Sequence, residues 1–144
     1  MKLARKSKVE GCTCEPVTMA DLEAVVSTAE EMFAILKKKD ALGLAAPQVR
    51  IFKKFFIMKS YNGEKYQLII NPEIIQESPK MGSFQEGCLT YPGETAVVKR
   101  PKQCKVRWMN ADGNMRSAKL TGRESQIFLH EFDHLEGITI FTKK

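Results

Sequence analysis

Histidine is scarce in this chain. Two stand among 144 residues, beside a single tryptophan. No apolar run approaches the roughly 20 residues that a membrane-spanning helix needs, so no membrane association is expected. The opening MKLARKSKVEG is basic, but no apolar segment follows it. A secretory signal is therefore not expected, and the cytoplasm is the expected compartment. Repeats and low-complexity stretches are also missing, which excludes solenoid and linker architectures. What remains fits one compact domain spanning 1–144, since 43% hydrophobic composition over this length can fill a single core.

The cysteines number four: Cys12, Cys14, Cys88 and Cys104. Without a secretory context, free thiols or metal ligation are better readings than disulfides. Cys12 and Cys14 are one residue apart and poorly placed to bridge each other. The net charge of +6 comes from lysines scattered through ARKSK, LKKKD, FKK, KRPK and the terminal KK. They lack arginine–aromatic interleaving, which argues against base readout and specific DNA recognition. They allow mild attraction to polyanions, ribosomal RNA included.

Apolar residues recur at three- and four-residue spacing from Thr18 to Lys39, namely Leu22, Val25, Val26, Ala29, Met32, Phe33 and Leu36. The spacing predicts a core helix, capped by Thr18 with Asp21. The runs KKFFIMKS, KYQLIINPEIIQE and QCKVRWMNADGNMRSAKL predict strands, separated by turns at YNGEK, ESPKMG and NADGN. Cys104, Val106 and Trp108 alternate with Lys105 and Arg107, so that strand has one solvated face and Cys104 points inward. A last helix is expected between a Thr121–Glu124 capping box and a stop at Gly137. The order helix, strands, helix predicts an α+β fold. Antiparallel sheets pack around the last helix, with one core helix near the N-terminus.

Both histidines fall in that last helix, within His130-Glu131-Phe132-Asp133-His134. Positions four apart share a helix face, so two imidazoles can meet one metal ion while Glu131 stands beside it as a proton acceptor. A third ligand is needed. Only ten residues follow His134, too few for another ligand helix, and Ile140 occupies the place where a histidine would extend the motif. The ligand must come from upstream cysteines or acids. Cys88, in SFQEGCLTYPG, is the best placed, because Gly87 permits close backbone approach. A small buried hydrophobe is the competing reading for it.

GLAAPQV, EGCLT and HEFDH, in that order along the chain, resemble the three signature segments of the peptide deformylases. The resemblance runs from about Glu15 to Phe141. It implies Cys88, His130 and His134 as metal ligands and Glu131 as the acid/base. It also implies Gln48 as an oxyanion donor beside the Leu89 backbone N–H. Gly43 and the EGCL strand, with Gly87 in it, would pair with an extended peptide. The implied reaction removes formyl from the N-terminal formyl-methionine of nascent chains. The implied physiological ion is Fe²⁺, which Zn²⁺ or Ni²⁺ can replace. Leu42, Phe84 and Ile127 are candidates for the methionine pocket, and Asp133 is expected to pair with Arg100.

Three positions depart from the family pattern: Ala41 for glycine, Thr90 for serine and Leu129 for glutamine. The chain also ends soon after GITIFTKK, like compact family members, including those of bacteriophages. In that case the host cytoplasm is the compartment. Ribosome contact is expected to be transient, and a monomer is expected. Two other functions fit the same residues: a different Cys-His-His amidase or peptidase, and a basic RNA- or ribosome-binding protein with a structural metal.

Overall fold

The computed structural model describes residues 1–60 and 64–143, so part of the expected YNGEK turn lies outside the described residues. Among the described residues the α-helices are α1 (Lys6–Val9), α2 (Leu22–Lys38) and α3 (Gly122–Leu135). Strands β1 (Gly43–Ala45), β2 (Phe55–Lys59), β3 (Tyr66–Glu77), β6 (Gln103–Met109) and β7 (Met115–Thr121) form an antiparallel sheet in the order β1-β2-β3-β6-β7. Strands β4 (Met81–Cys88) and β5 (Tyr91–Pro101) form a separate antiparallel pair. This is the expected α+β architecture.

Alternation in β2 explains the layering. Phe55 and Ile57 face α2, where Val25, Ala29, Met32 and Leu36 are buried at helical spacing. Phe56 and Met58 face the opposite side and pack with Ile69, Val106, Phe128 and Leu135 of the α3 layer. Both faces of this strand are therefore covered, which requires its unbroken apolar run. On β6, Cys104 and Val106 are buried while Lys105 and Arg107 are exposed, as the alternation predicts.

The N-terminal boundary of α2 is close to the expected one. A short 3-10 turn, Met19–Asp21, precedes it, and the Asp21 carboxylate accepts both the backbone N–H and the hydroxyl of Thr18 at 2.9 and 3.0 Å. The expected capping box of α3 is not formed. Thr121 stands at the N-cap position but makes no side-chain cap bond; it also ends β7, paired with Gln103, and Gly122 after it is at φ 56°. The Gly137 stop is present. Ile138 N–H reaches Asp133 O at 2.8 Å and Gly137 N–H reaches His134 O at 3.1 Å, closing a Schellman turn with Gly137 at φ 77°. A methyl group on Gly137 would also lie 2.6 Å from the Cys12 carbonyl oxygen.

Candidate metal centre

Helix α3 lays His130 above His134, and their Nε2 atoms are 3.2 Å apart. Cys88, the last residue of β4, brings its Sγ to 3.3 Å from His134 Nε2. One donor atom from each of the three residues falls within 4.8 Å of the others. Alternation along β4 puts Phe84, Glu86 and Cys88 on its more buried face, and the register shift between Gly87 and Cys88 falls on the β5 side, where Cys88 pairs with Tyr91.

Each ring is oriented from behind. His134 Nδ1 faces the Ile138 carbonyl at 3.1 Å, and His130 Nδ1 faces Glu86 Oε1 at 2.8 Å. An oxygen acceptor at each Nδ1 requires the proton there, so both Nε2 lone pairs converge toward the sulfur. Two imidazole nitrogens and one sulfur converging from separate elements suit a transition-metal ion with an open position.

Glu86 is held in turn by Arg100, whose Nε and terminal nitrogen donate to its two oxygens at 2.6 and 2.8 Å. The expected Arg100–Asp133 contact is present at 2.9 Å, and Lys143 reaches the same Asp133 oxygen at 3.1 Å. Arg100 is 1% exposed, so these carboxylates are its substitute for water. Burial alone would raise the Glu86 pKa, yet the hydrogen bonds from Arg100 and His130 bring it down to about 2. Burial opposes charge on both histidines. His134 is lowered to about 3 by burial and by neighbouring His130. His130 is raised to about 10, because Glu131, Cys88 and Glu86 outweigh its burial. One positive charge is thus favoured between the rings, and a proton or a metal ion can supply it.

Glu131 stands next to this point. It is 4% exposed, and its Oε1 has no hydrogen-bond partner among the described residues. Burial lifts its pKa to about 7, against the pull of His130 and Arg100. Its other side abuts Gly43, where a Cβ would lie 2.7 Å from Oε2. Gln48 is 3% exposed and fixed at both ends of its amide. Oε1 accepts from Ala45 N–H at 2.9 Å, while Nε2 donates to Thr90 Oγ1 at 2.9 Å and approaches Cys88 Sγ at 3.4 Å.

A cleft of about 840 Å³ opens over the centre. Leu42, Gly43, Gln48, Phe84, Gly87, Cys88, Leu89, Ile127, His130 and Glu131 all line it, and His134 lies behind them, 1% exposed. The fold therefore gathers every site residue singled out from the sequence. Glu86 was not singled out, although its position two residues before Cys88 places both on one strand face. Tyr91, Arg123 and Gln126 also line the cleft unforeseen. Cys12 and Cys14 lie elsewhere as free thiols, with Cys12 Sγ 3.5 Å from the His134 carbonyl.

The departures from the family pattern are accommodated. Ala41 is absent from the non-glycine residues with positive φ, and its N–H closes the end of α2 on Leu36 O at 3.0 Å. Thr90 supplies the oxygen that anchors Gln48. Leu129 is buried in the core layer of Phe56 and Phe128.

The profile of the polypeptide deformylase family matches residues 8–144. The peptide deformylase of Thermotoga neapolitana is 41% identical over 129 residues, covering 90% of this chain and 77% of that protein. Among solved structures, a probable peptide deformylase from Synechococcus phage S-SSM7 superposes with a TM-score of 0.91 at 32% identity, covering 98% of this chain and 97% of that one. The peptide deformylase of Thermotoga maritima gives 0.89 at 35% identity, covering 98% and 96%.

Proposed function

Because the chain belongs to the polypeptide deformylase family, we propose that Cys88, His130 and His134 hold its metal ion and that Glu131 and Gln48 serve the reaction beside it. The activity is hydrolysis of the N-terminal formyl group of nascent polypeptides, and it depends on a metal. The observation that carries the residue assignment is convergence. Three lone-pair donors meet within 4.8 Å, next to a buried carboxylate oxygen without a partner, at the base of a cleft.

A bound ion supplies Lewis acidity, which polarises the formyl carbonyl and acidifies water at the centre. Glu131 Oε1 takes a proton from the attacking water, whose oxygen bonds to the formyl carbon. As the C–N bond breaks, Glu131 returns that proton to the leaving amine, and formate and a free N-terminus result. The Gln48 amide cannot rotate freely, because Ala45 N–H and Thr90 Oγ1 occupy its two ends. Its remaining N–H, held toward the Cys88 sulfur at 3.4 Å, is thereby fixed beside the place where the oxyanion develops, and the Leu89 backbone N–H assists. Gly43 and Gly87 present backbone to an extended peptide, while Leu42, Phe84 and Ile127 form the apolar wall for methionine.

The ion is Fe²⁺, with Zn²⁺ or Ni²⁺ as replacements, since a thiolate and two imidazoles suit all three. Residues 1–144 act as one catalytic domain and as a monomer. The enzyme meets its substrate through transient ribosome contact in the cytoplasm, the host cytoplasm if the chain is phage-encoded. Among the described residues, no helix is long and apolar enough to cross a membrane. The test is anaerobic turnover of formyl-Met and acetyl-Met peptides side by side with metal analysis. Release of formate alone supports the reading. Equal cleavage of both peptides would move the site to a broader amidase.

A further inference from the structure

A second cleft, of about 410 Å³, shares no lining residue with the metal centre. Arg5, Lys8, Arg50 and Phe52 line it. Two segments far apart in sequence build it, fastened where Ala4 N–H donates to Gln48 O at 2.7 Å. Arg50 occupies the left-handed region, at φ 67° and ψ 28°, a conformation uncommon for arginine. Phe52 is 37% exposed, and the three basic residues are exposed around it.

None of these three cations has an acidic partner among the described residues. Glu15 and Asp21 pair with Lys53 at 3.5 and 3.6 Å, and Glu10 is turned to the Tyr91 hydroxyl, from which it accepts. Three like charges around an apolar floor, none of them in an ion pair, form a local positive field. Arg50 and Phe52 are neighbours in sequence, and the fold adds Arg5 and Lys8 to them.

A complementary ligand carries a flat apolar face together with closely spaced negative charges. An unpaired nucleotide strand has both, because its bases stack on aromatic rings and its phosphates follow basic side chains. A bilayer presents its phosphates in one plane and inserts no ring into a concavity. We propose that the Arg5–Lys8–Arg50–Phe52 cleft binds single-stranded RNA, with a base on the Phe52 ring and phosphates at the three cations. The proposal is independent of the assignment of the metal ligands.

The test is fluorescence anisotropy of an end-labelled oligouridylate with the metal-loaded full chain, followed over a salt series. Inorganic polyphosphate and phosphatidylserine vesicles serve as competitors. Three phosphate contacts predict a slope of log affinity against log salt of about −2. Phe52→Leu should weaken RNA binding about tenfold, by loss of stacking, while leaving polyphosphate binding unchanged. Arg50→Asn, which suits the left-handed backbone, should weaken both. Deformylation of a short formyl peptide by each variant should match the parent and so report intact folding. Equal RNA affinity of the parent and Phe52→Leu would overturn the proposal, as would vesicles that outcompete RNA.

Discussion

Replacing Gly43 by alanine tests how closely the strand edge and the proton-transfer carboxylate are fitted. The added Cβ would lie 2.7 Å from Glu131 Oε2, 2.9 Å from its Cγ and 3.0 Å from its Cδ. The first contact is about 0.7 Å short of ordinary carbon–oxygen separation. Three atoms of one side chain are crowded at once, and Glu131 is 4% exposed, so it has little room to withdraw. The carboxylate must therefore rotate or shift by a large fraction of an ångström. A misplacement near 1 Å at reacting groups costs about 10²-fold in rate, or about 2.7 kcal/mol of barrier. The strand itself should persist, because Leu44 and Ala45 keep their core contacts. The assay is steady-state formate release with metal content and thermal midpoint measured in parallel. Gly43→Ala should lower kcat about 100-fold with unchanged metal content. A kcat within twofold of the parent would refute the fit between Gly43 and Glu131.

Glu131→Gln should retain metal and lose roughly 10²- to 10⁴-fold in formate release, the usual share of a general acid/base; undiminished turnover would remove its assigned role. Glu86→Gln should weaken metal binding 10- to 100-fold by loosening the His130 ring. It should also lower stability by about 3–5 kcal/mol, since Arg100 loses its doubly bonded partner while buried; chelator competition and denaturant titration read the two effects separately. The Cys14 thiol is pushed up to about 12, mainly by burial and then by Cys12. Its folded pKa lies above the unfolded one, so native stability should fall as pH rises from about 9 toward 12. Cys14→Ala should flatten that alkaline loss, and denaturant midpoints across this range are the check.

The core helix and the α3 stop were legible because both rest on local signals: the spacing of Val25, Ala29, Met32 and Leu36, and a glycine that must adopt positive φ. The histidine pair was legible for the same reason, since a four-residue spacing fixes two side chains on one face. The β4–β5 pair escaped pattern reading. Its strands are largely exposed, with Val97 72% and Met81 48% accessible, so they lack the apolar alternation that burial imposes. Strand β1 is three residues long and gives no period to detect. Thr121 shows the opposite failure: the local capping signal is present, yet no cap bond forms where β7 runs directly into α3. The role of Glu86 depends on a partner 44 residues away, which no local pattern encodes.

The central claim is that one sulfur and two imidazoles share a single ion. Extended X-ray absorption of the zinc-loaded protein addresses it directly. The account predicts one sulfur at about 2.3 Å and two imidazole nitrogens at about 2.0–2.1 Å, with the sulfur signal lost in Cys88→Ser. A parent spectrum without sulfur, or one unchanged by that substitution, would contradict it.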